Sequence, residues 1–282
     1  MNMHIFSISG WSTLQNGFVS VRKHSLCPMA SLLSHTTMST TFDLLAGVLR
    51  NPEAQSLLVK CYAASQAEHI RNDKLGMEVG NAREKDLVAV LTHYLGDALE
   101  YNIDNDLTED FRIQGRRISV KHITIDSKTK EIHGTCKCKW TADVQKAEQY
   151  IAEMRKRNPE TFTDILFCFI NPVRRTIAYV LTPSEVVQAG VECLDEKAFV
   201  SRSGTNNRGV EFSKEMMAYM CTHAYFTEIL REVDLTGGID PIRRRLLMIA
   251  SILPPSGPQG SPAVGAPHSQ SACTPPSTTS AL

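Results

Sequence analysis

The run Asp110-Phe-Arg-Ile-Gln-Gly-Arg-Arg-Ile-Ser-Val-Lys121, continued by His122-Ile-Thr-Ile-Asp126, decides how the rest of the chain is read. Phe111 to Gln114 is a short extended run, Gln114-Gly115-Arg116 supplies a turn glycine, and Arg117 to Ile125 is rich in β-branched residues. The pattern predicts strand, tight turn, strand. Side chains alternate along a strand, so Ser119 and Lys121 share one face, and the hairpin arm brings Asp110 back beside them. A carboxylate and an ammonium converging at a strand end suit phosphodiester chemistry. The acid can hold a divalent metal while the lysine steadies an attacking water or the phosphate.

Upstream of the hairpin, Asn81-Ala-Arg-Glu84 is expected to open a helix whose apolar stripe is Leu87, Val88, Leu91 and Leu95. Glu84 points toward the core side of that helix. Two roles stand open for it: the glutamate of a capping box with Asn81, or a carboxylate that supports a metal, with Glu78 as the second choice. From Gly96 to Glu109 the chain is acidic and reads as a solvated loop. Earlier still, Leu44, Leu45, Val48 and Leu49, then Leu57, Leu58 and Cys61, recur at helical spacing on either side of Pro52. Two helices are predicted there, with the proline at the start of the second.

Downstream, Ile132 to Trp140 alternates, with Ile132, Gly134, Cys136, Cys138 and Trp140 on the core face and His133, Thr135, Lys137 and Lys139 on the other. Alternation parts His133 from both thiols, which argues against zinc. Lys137 and Lys139 need water, carboxylates or phosphates, and are candidates for phosphate contact. Thr141 or Asp143 caps a helix striped by Val144, Ala147, Ile151 and Met154. Asp164 to Ile170 is an unbroken apolar run, the mark of a strand buried on both faces, and Thr176 to Leu181 makes another. Thr182-Pro-Ser-Glu185 has a capping residue, a proline and a capping-box glutamate at a helix start. Ser201 to Gly209 is a polar, positively charged loop, and its Arg202, Asn206 and Arg208 are of the types that read base edges. Ser213 caps a last helix carrying Met216, Met217 and Met220.

In its 282 residues the chain has 30 Lys plus Arg against 30 Asp plus Glu, so a nucleic-acid surface has to come from local segregation of charge. Eight scattered cysteines without a CxxC pair suggest reduced thiols in a cytoplasmic, intracellular protein. No apolar run approaches the roughly 20 residues that span a bilayer, so no membrane partner is expected. Residues 1–40 are expected to be a poorly ordered extension, 41–252 one domain with a helical N-terminal part, and 253–282 a disordered tail rich in Pro, Ser and Gly. The first 37 residues read either as an organellar transit peptide or as an extended gene call before Met38.

An acidic residue, a short spacer and then x-Val-Lys on the next strand resembles the PD-(D/E)xK nuclease superfamily, in particular its type II restriction endonucleases. The likeness runs from about Gly76 to Ser213 and takes in Gly80-Asn-Ala-Arg-Glu84, Lys137-Cys-Lys-Trp-Thr-Ala-Asp143 and Asn206-Asn-Arg-Gly-Val-Glu-Phe-Ser213. Glu109 stands where that family has proline, and Ser119 stands where Asp or Glu is usual; some members with serine there take the second carboxylate from elsewhere. The resemblance implies an α/β, restriction-endonuclease-like core, a mixed central β-sheet flanked by helices. It implies a Mg2+-dependent endodeoxyribonuclease acting on double-stranded DNA at a specific sequence, as a homodimer. Asp110 and Glu84 would then bind the metal, Lys121 would stabilise hydroxide or developing charge, Ser119 would add a hydrogen bond, and Lys137, Lys139, Arg202, Asn206 and Arg208 would contact DNA. The missing acid at Ser119 leaves an alternative, a non-catalytic DNA-binding protein on the same scaffold.

A fragment spanning Met38 to Ser251 is expected to keep fold and function, because neither end carries apolar periodicity or a motif residue. Soluble yield and melting temperature equal to those of the full chain check this.

Overall fold

The computed structural model describes residues 35–71, 77–101, 109–125, 128–130, 132, 134–200 and 208–235, with positions 246 and 249; at 35–39, 69–71 and 77 the backbone alone is described. Asp126, His133, Arg202, Asn206 and both terminal segments lie outside these residues. Three helices come first, α1 (His35–Arg50), α2 (Pro52–Arg71) and α3 (Met77–Leu95). Asn51 separates the first two. Its Oδ1 accepts from the amides of Glu53 at 2.8 Å and Ala54 at 3.2 Å, with Pro52 placed at the first helical position, where its missing N–H costs nothing.

Strands β1 (Leu99–Tyr101), β2 (Phe111–Ile113), β3 (Arg116–Thr124) and β4 (Cys136–Trp140) follow, then helix α4 (Val144–Arg155) and strands β5 (Asp164–Asn171) and β6 (Thr176–Thr182). Helix α5 (Ser184–Leu194), strand β7 (Gly209–Phe212), helix α6 (Lys214–Thr222) and strand β8 (Phe226–Leu230) complete the order. Six strands form one mixed sheet in the order β1-β2-β3-β5-β6-β8, with β3 and β5 parallel and every other pair antiparallel. Helices cover both faces, which is why β5 is buried at every position. Leu166, Cys168 and Ile170 enter the core beneath α1 to α3, while Ile165, Phe167 and Phe169 enter the core beneath α4 to α6. The α/β class and the mixed, helix-flanked sheet are therefore as the sequence implies.

The β2–β3 hairpin closes through Gln114 and Gly115, with Ile113 opposite Arg116. Both turn residues have positive φ, 50° and 81°, the type I′ geometry that matches strand twist. Behind it, Arg116 locks the sheet to the helices. Asp164, 2% exposed, accepts from Arg116 Nε at 2.8 Å and Nη2 at 2.7 Å, and its Oδ1 also accepts from the amide of Ser184 at 2.8 Å.

That last bond corrects one expectation. Thr182 ends β6 and does not cap α5; the helix start is held by a carboxylate from β5, a partner remote in sequence. Helix α3 begins at Met77, so Glu84 sits two turns inside it and the capping-box role for Asn81 and Glu84 falls away. The segment from Gly96 to Glu109 is not one solvated loop: it contains β1, and Glu109 is buried against Arg112 at 2.6 Å, with Arg117 at 3.9 Å. The strand expected from Ile132 begins only at Cys136 and pairs with β7 as a separate two-stranded ribbon. A register shift between Lys137 and Lys139 breaks its alternation, so Trp140 is 40% exposed instead of facing the core with Cys136. Strand β8, an edge strand, had no counterpart in the sequence pattern.

Asp164→Ala leaves Arg116 and the α5 N-terminus without their shared acceptor and should cost about 3 kcal/mol in urea unfolding. Asp164→Asn, which keeps an oxygen for Ser184, should cost clearly less.

Candidate active site

Strand β2 is three residues long and β3 is nine. The ladder from β2 ends at Phe111 opposite Ile118, and is closed by one further backbone bond, Asp110 N–H to Ile118 C=O at 2.9 Å. Pairing of β3 with β5 runs on from Ile118 to Thr124. Beyond Ile118, then, β3 is paired on its β5 side while its β2 partner has stopped, and at that point the hairpin delivers Asp110. The Asp110 carboxylate is held there by β3 itself. Its Oδ2 accepts from Ser119 Oγ at 3.1 Å and from the backbone N–H of Val120.

Ser119 and Lys121 do share a face, and both line a narrow cleft with Cys138, Tyr150, Phe162 and Phe212. Ile118 and Val120 point the other way, into the core under α1 to α3. Glu84 arrives from α3, a helix of that opposite layer, and its carboxyl is within electrostatic reach of Asp110 and Lys121. Burial pushes Glu84 up to about 7, Asp110 adds to the rise, and Lys121 with Lys85 pulls against it. Glu84 of α3, Asp110 of the hairpin and Lys121 of β3 thus lie within electrostatic reach of one another beyond the end of β2.

Tyr101, half-buried on β1 opposite Phe111, belongs to the same neighbourhood. Its hydroxyl is raised by burial first, then by Glu84 and Asp110. No sequence signal pointed to it, because β1 was read as loop. Nor did the sequence single out Arg83, which is buried in α3 and fixes that helix against its neighbours, with Nη1 donating to Thr124 Oγ1 at 3.3 Å and Nη2 to Gln66 Oε1. Position alone, next to Glu84, could have flagged it. His122 follows Lys121 but turns toward Tyr62, 3.3 Å away, and burial, then Arg83 and Lys121, lowers it to about 3. It stays neutral at physiological pH and serves packing.

The ribbon residues are placed as follows. Lys137 is exposed with Nζ 4.3 Å from the centre of the Trp140 ring, and Lys139 lies over Tyr150 at 4.5 Å. Arg208 is exposed at the start of β7, where its carbonyl accepts from Thr141 N–H and Oγ1. Arg202 and Asn206 fall outside the described residues. Among the described residues no group of three or more His, Cys, Asp or Glu gathers around one point. Two carboxylates still suit magnesium, which is commonly held by one or two of them, with water and substrate phosphate completing the shell. No helix among the described residues is long and apolar enough to cross a membrane.

No curated protein matches the chain. A solved structure described as a restriction endonuclease in complex with substrate DNA is similar to it, with a TM-score of 0.57 and 25% identity over 73% of this chain and 96% of that one. The family model of restriction endonuclease ThaI matches residues 49–236, well over half of the chain, and spans the elements from α2 through β8, with Glu84, Asp110, Ser119 and Lys121 among them. The chain belongs to the restriction endonuclease ThaI family and is a restriction-type endonuclease.

Proposed function

We propose that the chain is a type II restriction endodeoxyribonuclease of the PD-(D/E)xK kind, with Ser119 in the usual acidic place, which hydrolyses phosphodiester bonds of double-stranded DNA at a specific sequence. One observation carries this reading: Glu84 of α3, Asp110 at the end of the β2–β3 hairpin and Lys121 of β3 lie within electrostatic reach of one another, past the point where β3 loses its β2 partner. Asp110 and Glu84 would hold Mg2+, which when bound supplies positive charge to the phosphate and to the attacking oxygen. The remaining work falls to the chain. Ser119 Oγ and the Val120 N–H hold Asp110 in one orientation, and Lys121 places an ammonium in the cleft, where it orients water and stabilises the charge that develops on the phosphoryl oxygens. Tyr150, Phe162 and Phe212 line the same cleft and keep bulk water scarce, which strengthens each of those interactions.

Ser119 is the residue that favours a non-catalytic DNA binder. Its hydrogen bond to Asp110 gives it a task in the catalytic reading, and Glu84 supplies the second carboxylate. Lys137, Lys139 and Arg208 are assigned to the DNA surface, together with Arg202 and Asn206, which lie outside the described residues. A homodimer follows from the need for two sites to cut both strands of a symmetric sequence. Asp126, the acid that would have to accompany Lys139 in a rival register, lies outside the described residues. Lys139 itself is engaged over Tyr150.

Plasmid cleavage with and without magnesium tests the reading. Lys121→Ala and Asp110→Asn should each lower cleavage by more than about a hundredfold with DNA binding retained. Lys139→Ala should mainly weaken binding, and more so at higher salt. A Lys121→Ala protein that cuts at the normal rate would sink the assignment.

Glu84 also predicts a pH dependence of stability. In the metal-free fold it keeps its proton up to about 7, whereas its ordinary value is 4.5. Between those values the folded state binds the extra proton, so this group's contribution to stability falls as pH rises through the window. Thermal melts from pH 4 to 8 should show that decline in the wild type and not in Glu84→Gln. Added magnesium at pH 8 should raise the melting temperature of the wild type more than that of the variant.

A further inference from the structure

Trp140 ends β4 with its ring held but not covered. The ring lies beside Gly209, where a β-carbon would sit 3.6 Å from ring atoms Cε3 and Cζ3 and 3.7 Å from Lys137 Cδ. Lys137 Nζ stands 4.3 Å from the ring centroid, and the residue remains 40% exposed. The bulge between Lys137 and Lys139 produces this placement by turning Trp140 off the core face. Thr141 then pins the strand end to β7, its N–H and Oγ1 donating to the Arg208 carbonyl at 3.1 and 2.6 Å. A large aromatic left on the surface by a bulge, and then immobilised, calls for a ligand with a flat or apolar face.

Its location identifies that ligand. Cys138, two residues earlier on the same strand, lines the cleft that contains Ser119 and Lys121. Two strand residues span about 6.6 Å. Trp140 therefore lies about that far along β4 from a residue that lines the cleft, beside the exposed cations Lys137 and Arg208. Glu211, cross-strand from Lys137, accepts a hydrogen bond from Thr135 Oγ1. Resting on the reading of the chain as a DNA-cutting enzyme, we propose that Trp140 is a nucleotide-contacting residue: its indole face takes a nucleotide beside the cleaved phosphate, and Lys137 moves from the ring to the DNA backbone. In a duplex both faces of each base are already stacked, so the nucleotide that Trp140 takes has to leave the stack; stacking on the indole and pairing of the freed lysine with phosphate offset that cost, since a lysine over an exposed ring is held weakly.

The chain contains two tryptophans, Trp11 and Trp140, so the full-length Trp11→Phe protein makes Trp140 its own reporter. With metal chelated to stop cleavage, a fluorescein-labelled random-sequence duplex is titrated while label anisotropy and tryptophan emission are read together. The expected result is a saturable change in Trp140 emission that tracks the anisotropy. Separately, Trp140→Ala should bind about tenfold more weakly and Trp140→Phe close to wild type. Rising anisotropy with unchanged emission, or a folded Trp140→Ala protein that binds as wild type does, overturns the Trp140 assignment and leaves the DNA reading intact. No rise in anisotropy for the unsubstituted protein at low salt overturns both.

Discussion

The inequality between a three-residue β2 and a nine-residue β3 is the constraint on which the site depends. A hairpin with a two-residue turn has its register set by the turn, so Gln114 and Gly115, both at positive φ, dictate that Phe111 faces Ile118 and that Asp110 lands beside Ser119. Had β2 been longer, β3 would be paired on both sides past Ile118. Glu84 from one layer and Lys121 from the other would then be divided by a continuous sheet. β2 stops short of that point, and there Asp110 of the hairpin lies within electrostatic reach of Glu84.

Everything around this opening holds it in place. Arg116, the first residue of β3, reaches Asp164 at the start of β5, and Asp164 in turn receives the first amide of α5. On the other face Arg83 ties α3 to Thr124 and Gln66, which holds the turn of helix that carries Glu84. Such buried charges are costly unless paired, and each here spans elements far apart in the chain. They fix the angles at which α3, β3 and α5 meet, and so the mutual positions of groups that lie 26 and 37 residues from Glu84 in the sequence, Asp110 and Lys121.

The chemistry of the pair follows from its environment. Glu84 in water would ionise as an ordinary carboxylate; beneath α3 it is raised to about 7 by burial and by Asp110. Burial disfavours the charged form of such a carboxyl, and Lys121 and Lys85 act in the opposite direction. His122, one residue from Lys121, is taken out of acid-base chemistry by the same burial. Neighbours in sequence differ this much because a strand sends alternate side chains into different surroundings.

By itself the sequence determined the hairpin, the shared face of Ser119 and Lys121, the two-sided burial of Asp164 to Ile170, the break at Pro52, the Ser213 cap and the resemblance of Asp110 to Lys121 to a nuclease motif. Each rests on contacts between residues close in the chain or on an alternation that a strand imposes directly. Tertiary structure decided the rest. It placed Glu84 two turns inside α3 and turned it from a capping candidate into the partner of Asp110. It gave the α5 start to Asp164 instead of Thr182, and buried Glu109 within 3.9 Å of Arg117 of β3. It bulged β4 and left Trp140 at the surface. In each of these cases the deciding partner comes from another element, or the register is set by another strand. Local pattern carries no information about which distant group will be packed against a given side chain.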